Sequence, residues 1–167
     1  MSTVVLPGSF DPFTLGHLDL LRRACAIAGD VVVAVSHNPS KRSLLGLEER
    51  CRVIEETIAT EGLTAQARVE PLPDGLLVDF CARVGATAVV RGLRSGADMA
   101  YEEPMVRMNA HLGPLDTMLL LTGPQFAHIS SSLVREVAVL GRGVDDMLPA
   151  AAASALERVL AEREHDD

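Results

Sequence analysis

A glycine–histidine pair, Gly16-His17, ends a run rich in turn-forming residues, Pro7-Gly8-Ser9-Phe10-Asp11-Pro12-Phe13-Thr14-Leu15. Leu18, Leu21, Cys25 and Ala28 then recur at helical spacing, so the pair stands at the start of an amphipathic helix. The first turn of a helix carries free N–H groups and partial positive charge, which suit a phosphate. An imidazole held there lies beside whatever anion binds. These residue types in this order point to phosphate chemistry. The net charge of −8 leaves little room for the broad basic face of a nucleic-acid binder. Cations for an anionic ligand must therefore be gathered locally, and the candidates are Lys41, Arg42, Arg91, Arg94, Arg107 and Arg135.

The hydrophobic pattern indicates the scaffold that must present these groups. The Gly8–His17 segment follows a β-branched run, Thr3-Val4-Val5-Leu6. Asp30 to Val35 is a second run of strand length, apolar on both faces as in a parallel sheet covered by helices. Ser36 to Leu45 reads as a polar loop. Gly46-Leu47-Glu48-Glu49 then opens a helix with Leu47, Cys51, Ile54 and Ile58 on one face, stopped by Gly62. A third strand, Ala67–Glu70, is closed by Pro71 and Pro73, and a helix over about 76–84 ends at Gly85. Ala86–Val90 is a fourth strand, from whose carboxyl end Arg91-Gly92-Leu93-Arg94 departs. There follow a longer helix over about 97–111, a fifth strand Thr117–Leu121, a break at Gly123-Pro124, and a helix after Ile129-Ser130-Ser131-Ser132 that Gly141 and Gly143 end. Pro149 starts an Ala-rich last helix to about residue 163, with 164–167 expected to fray. Alternating strands and helices predict a single α/β domain with five mainly parallel strands and helices on both faces. Ligands of such sheets bind beyond the carboxyl ends of the strands. The four segments leaving those ends, Gly8–His17, Ser36–Arg42, Arg91–Arg94 and Thr122–Ser132, hold or adjoin nearly all the candidate cations.

A chain of 167 residues has room for one proper core. With 4 Phe, 1 Tyr and no Trp, Val, Leu and Ala must fill it. Cys25, Cys51 and Cys81 are odd in number, widely spaced and each on a predicted helix. They argue against a disulfide framework or zinc site and for a reducing cytoplasm. No basic-then-apolar leader opens the sequence and no apolar run approaches ~18 residues, so a soluble cytoplasmic protein is expected, with neither membrane nor nucleic acid as partner. His37, His111, His128 and His165 form no metal-ligand pattern. Met99, Met105 and Met108 read as core filling rather than a binding box.

Gly8-Ser9-Phe10-Asp11-Pro12 followed by Gly16-His17 resembles the signature of the nucleotidyltransferase superfamily. Its members transfer a nucleotidyl group from a nucleoside triphosphate to an acceptor and release pyrophosphate. Many carry His-x-Gly-His; here Thr14 takes the place of the first histidine, a departure that resembles the pantetheine-phosphate adenylyltransferases. Three further strings, weak singly, are similar to that family's in the same order: Asn38-Pro39-Ser40-Lys41, Arg91-Gly92-Leu93-Arg94 and Ile129-Ser130-Ser131-Ser132. Two places depart from the pattern. Met99-Ala100-Tyr101-Glu102 keeps only the last acid of a Phe-Glu-x-Glu, and the aromatic before the serines, often Trp, is Phe126. The resemblance runs from Thr3 to about Leu148.

It implies a Rossmann-like, doubly wound sheet and transfer of the adenylyl group of ATP to 4′-phosphopantetheine, giving dephospho-coenzyme A. A phosphate nucleophile is already anionic near neutral pH, so alignment and charge neutralisation lower the barrier, not a strong base. By resemblance, His17 donates to the α-phosphate, Lys41 and Arg91 hold the acceptor phosphate, Ser9 contacts both substrates, and Leu77 lines the pantetheine arm. The ATP side comprises Phe10, Gly92, Leu93, Arg94, Glu102 and the run Phe126-Ala127-His128-Ile129, with Ser130, Ser131 and Ser132 taking the β- and γ-phosphates. Magnesium is expected to ride on the triphosphate. The sequence has no dedicated carboxylate cluster, and Asp11 is the acid near enough to check. The family is usually a homohexamer that responds to coenzyme A, with exposed apolar residues of the long helix able to supply contacts. Two other readings stay open: a nucleotidyltransferase with another acceptor, such as nicotinamide mononucleotide, and a nucleotide sensor without turnover.

Overall fold

The run Val31-Val32-Val33-Ala34-Val35 is 0 % exposed at every position, which only a strand covered on both faces allows. It forms β2 (Gly29–Ser36), second in a sheet of order β3-β2-β1-β4-β5 whose pairs are all parallel. The computed structural model describes residues 2–37 and 43–166, apart from the side chains of residues 164 and 166. Within them the chain runs β1 (Ser2–Gly8), α1 (Leu15–Ala28), β2, α2 (Leu47–Thr60), β3 (Ala67–Leu72), α3 (Leu77–Arg83), β4 (Ala86–Leu93), α4 (Gly96–Leu112), β5 (Asp116–Leu121), α5 (Ser131–Val139) and α6 (Ala150–Asp166).

Alternation along the strands builds two cores. Val4, Leu6, Val31, Val33 and Val35 face α1, α2, α5 and α6 through Leu21, Ile54, Val134 and Leu156. Val5, Val32, Ala34 and Val89 face α3 through Val78, Phe80 and Cys81. Each fully buried Val or Leu contributes about 1.5–3 kcal/mol. The strand order sets β1 beside β4 at the centre, where the winding reverses and a crevice must open.

Four expectations need correction. β3 continues through Pro71, paired with Val35; it is an edge strand, where a missing N–H is tolerated. β4 continues to Leu93, because Leu119, Leu120 and Leu121 of β5 offer partners to Arg91, Gly92 and Leu93. The last helix reaches Asp166, since Ala, Glu and Arg are good helix formers and no Gly or Pro interrupts them. Met99, Met105 and Met108 are not core: they are 40 %, 58 % and 53 % exposed. The reason is that α4 lies over β4, β5 and α3 on a narrow stripe, burying only Glu102 and Asn109. No helix among the described residues is long and apolar enough to cross a membrane.

Candidate active site

A cleft of about 360 Å³ opens beyond the carboxyl ends of β1 and β4. Ser9, Phe10, Thr14 and His17 form one wall; Arg91, Gly92, Arg94 and Glu102 form the other; Ile129, Ser130, Ser131 and Ser132 close the end. Lys41 and Arg42 lie outside the described residues. Leu77, expected beside a ligand arm, is half-buried against the α3 core and does not line this cleft. Leu93 is buried and Phe126 packs on the larger core, while Ala127 and His128 face solvent; none of the four lines the cleft. Arg107 pairs with Glu103 on the surface, away from the site.

The β1–α1 segment is shaped by what happens to its carbonyls. Arg91 Nη1 donates to Pro7 O at 2.9 Å and Arg50 Nη1 to Ser9 O. Arg135 Nη1 donates to Asp11 O, and Ser131 Oγ to Pro12 O at 2.8 Å. Groups from β4, α2 and α5 thus hold the loop's carbonyl oxygens, which would otherwise repel an anion. The Asp11 carboxylate, 4 % exposed, accepts the N–H of Leu44 through Oδ2 and of Leu45 through Oδ1, both at 2.8 Å, with Arg135 Nη1 3.4 Å from Oδ2. It ties the segment to the residues leading into α2 and has no oxygen left bare for a cation. The described residues contain no group of three His, Cys, Asp or Glu able to hold a metal. Phe10 has φ of 48°, strained for a bulky residue, and its ring folds back so closely that a Cβ on Gly8 would meet it at 2.8 Å.

His17 is held in one tautomer. Thr14 caps α1, and its backbone N–H donates to His17 Nδ1 at 3.0 Å, with Thr14 Oγ1 at 3.1 Å from the same nitrogen. An Nδ1 that accepts cannot carry the proton, so Nε2–H is the ring's free donor. Phe10 meets the ring edge-on with centroids 5.1 Å apart, and Phe13 lies at 5.5 Å. Burial pushes the His17 pKa down to about 4, with Arg94 and Arg91 adding to the shift. At neutral pH this is an uncharged hydrogen-bond donor.

Opposite, Arg91 is gripped bidentately by Glu102, with Nε 2.8 Å from Oε2 and Nη2 2.5 Å from Oε1. With Nη1 on Pro7 O, three of the five guanidinium N–H donors are engaged. Arg94 is steered by Asp98, whose Oδ2 accepts both the Arg94 backbone N–H at 2.8 Å and Nε at 3.2 Å. At the end of the cleft Ser130 caps α5 by accepting from Leu133 N–H. The backbone N–H groups of Ser131 and Ser132 are then the first-turn donors, a geometry that suits phosphate oxygens.

The chain that builds this cleft has relatives of known kind. Residues 5–137 match the cytidylyltransferase-like family model. Over 152 residues the chain is 51 % identical to the phosphopantetheine adenylyltransferase of Clavibacter michiganensis subsp. michiganensis, covering 91 % of this chain and 93 % of that one. The chain belongs to the phosphopantetheine adenylyltransferase family. Relatives of the same name come from Leifsonia xyli subsp. xyli, 46 % identical with 91 % and 95 % coverage, and from Micrococcus luteus, 43 % identical with 94 % and 98 % coverage. Among solved structures, Thermotoga maritima TmcAL bound with alpha-thio ATP shares the fold at a TM-score of 0.68 and 15 % identity, over 97 % of this chain and 56 % of that one. So does a lipopolysaccharide core biosynthesis protein from Thermoplasma volcanium, at 0.55 and 20 %, over 74 % and 97 %.

In this member of the phosphopantetheine adenylyltransferase family, sequence reasoning missed the structural parts of Thr14, Asp11, Arg135 and Asp98, and missed Arg50 altogether. A signal for Arg50 existed. It lies three residues after Leu47 and four before Ile54, on the apolar stripe of α2, where a charged residue needs a reason.

Proposed function

We propose that this chain transfers the adenylyl group of ATP to 4′-phosphopantetheine, giving dephospho-coenzyme A and pyrophosphate. An oxygen of the acceptor phosphate attacks the α-phosphorus in line, the bond from that phosphorus to the bridging oxygen breaks, and pyrophosphate leaves without a covalent enzyme intermediate. The observation that carries this reading is the neutral His17 with Nε2–H as its one free donor at the edge of the cleft. Such a group donates to charge gathering on the α-phosphate and is too weak a base to be needed as one. Arg91, together with Lys41, holds the acceptor phosphate. Ser9 touches both substrates, Phe10, Gly92, Arg94 and Glu102 complete the ATP side, and the α5 start takes the β- and γ-phosphates. Magnesium enters as part of the ATP substrate, since the Asp11 oxygens are taken by N–H groups. The exposed Met99, Tyr101, Met105 and Met108 of α4 supply subunit contacts of a homohexamer, coenzyme A competes for the cleft as a feedback ligand, and the free thiols fit the cytoplasm.

The test is pyrophosphate release from ATP with a panel of acceptors. Turnover with 4′-phosphopantetheine and none with nicotinamide mononucleotide or phospho-alcohols is expected. Turnover only with another acceptor would replace the substrate, and ATP binding without any turnover would make the chain a sensor. Light scattering of the purified protein tests the assembly.

A further inference from the structure

Arg50 has no task in the reading above, yet it is 1 % exposed and its guanidinium spans three segments. Nε donates to Leu45 O at 3.1 Å, just before α2, and Nη1 donates to Ser36 O at 2.9 Å, at the end of β2, as well as to Ser9 O. Burying a guanidinium is costly, and an apolar residue of similar volume would fill this place more cheaply if packing alone mattered. Burial pulls the Arg50 pKa down from its ordinary value while the Asp11 carboxylate pulls it up, so the charge is compensated in place.

The Ser9–Phe10 peptide is trans, the one cis bond among the described residues being Asp11-Pro12. In a planar trans peptide the C=O and N–H point in opposite directions. Arg50 holds the Ser9 carbonyl from beneath, and Arg50 does not line the cleft whereas Ser9 and Phe10 do. The Phe10 N–H is therefore turned away from Arg50, and among the described residues no backbone carbonyl accepts it. The left-handed φ of Phe10 is a conformation the chain would leave without such a hold. We infer that Arg50 is a positioning residue: by gripping the Ser9 carbonyl it sets the Ser9–Phe10 peptide so that Phe10 N–H meets an α-phosphate oxygen alongside His17 Nε2–H. The role rests on the adenylyl-transfer reading.

Arg50→Lys keeps a buried cation but offers one nitrogen where three carbonyls need serving. Its kcat is expected to fall about 10–100-fold with both KM values within about threefold of wild type, because the displaced donor matters most as charge develops. The rate ratio between ATP and one α-thio-ATP diastereomer narrows in the variant, since the oxygen has already lost its partner. Folded Arg50→Lys with wild-type kcat and an unchanged thio effect would overturn the role, whatever its melting temperature. A variant too unstable to assay leaves a decisive measurement on the unaltered protein. The Phe10 amide resonance shifts when α,β-methylene-ATP is added, and no shift there overturns the role equally. Failure of wild type to release pyrophosphate with ATP and 4′-phosphopantetheine, while that shift is seen, would sink the reaction assignment and not the peptide geometry.

Discussion

On one side of the cleft the β1–α1 segment is tied chiefly by the buried Asp11 and Arg50; on the other, Arg91 is steered by the largely buried Glu102 and Arg94 by the more exposed Asp98. Asp11 and Arg50 are 4 % and 1 % exposed, whereas the Arg94 and Asp98 side chains are 41 % and 25 % exposed. Arg91 and Glu102 fall between, at 32 % and 11 %. Ties within the core act at low dielectric and resist salt, while exposed pairs are worth little and are screened. The wall carrying His17 is thus fixed, and under the proposed function it is the wall that would face the α-phosphate. The arginine wall is adjustable, its charges partly cancelled until an anion arrives to share them. Positioning the reacting phosphorus calls for the first kind of wall, and admitting and releasing anions calls for the second.

The comparison can be broken at several points. The largest effect is expected from Asp11→Ala, which strands two backbone N–H groups and leaves Arg50 and Arg135 without their anion. Losing one partner of a buried charge pair costs about 3–5 kcal/mol, to be read from urea unfolding; a loss below about 1 kcal/mol would show that Asp11 does not hold this wall. His17→Ala removes the free donor at the cleft edge, and turnover should drop about 10²–10³-fold with native far-UV circular dichroism. Near-normal turnover removes His17 from the chemistry. The third effect concerns pH. Folded His17 protonates at about 4 against an ordinary 6.5, so the unfolded chain binds the extra proton between those values. Its contribution to stability is complete above pH 6.5 and is lost as pH falls toward 4, about 3 kcal/mol in all. The ring resonances of His17 should therefore stay flat from pH 8 to about 5.5, and an inflection near 6.5 would mean the ring is not buried as described. Smallest is Asp98→Asn on the adjustable wall, expected to cost under about 1 kcal/mol and less still in high salt. A larger, salt-insensitive loss would make the two walls alike.

What was legible beforehand follows the same division. The strands of the centre were plain, because β2 is apolar on both faces and few other arrangements bury such a run. The His17 helix start was plain too, since the spacing of Leu18, Leu21, Cys25 and Ala28 is local, although the Thr14 cap was not read from it. The carbonyl ties were not, because they join residues as far apart in sequence as Asp11 and Arg135, and hydrogen bonds to backbone oxygens leave no trace in side-chain pattern. Arg91–Glu102 was hidden for a related reason: the sequence suggested each as a ligand contact and gave no hint that they grip one another. Met105 and Met108 misled because methionine is at home in cores, and only the narrow seating of α4 reveals that they face outward. Leu77 is half-buried against the α3 core, which leaves part of it exposed.

Leu44 and Leu45 belong by sequence to a loop, yet their N–H groups end on a carboxylate that solvent hardly reaches. Their protons would exchange with deuterium no faster than those of the central strands, through global unfolding rather than local fraying. The His17 wall is then built once, when the chain folds, and no part of a ligand's binding free energy is spent on assembling it.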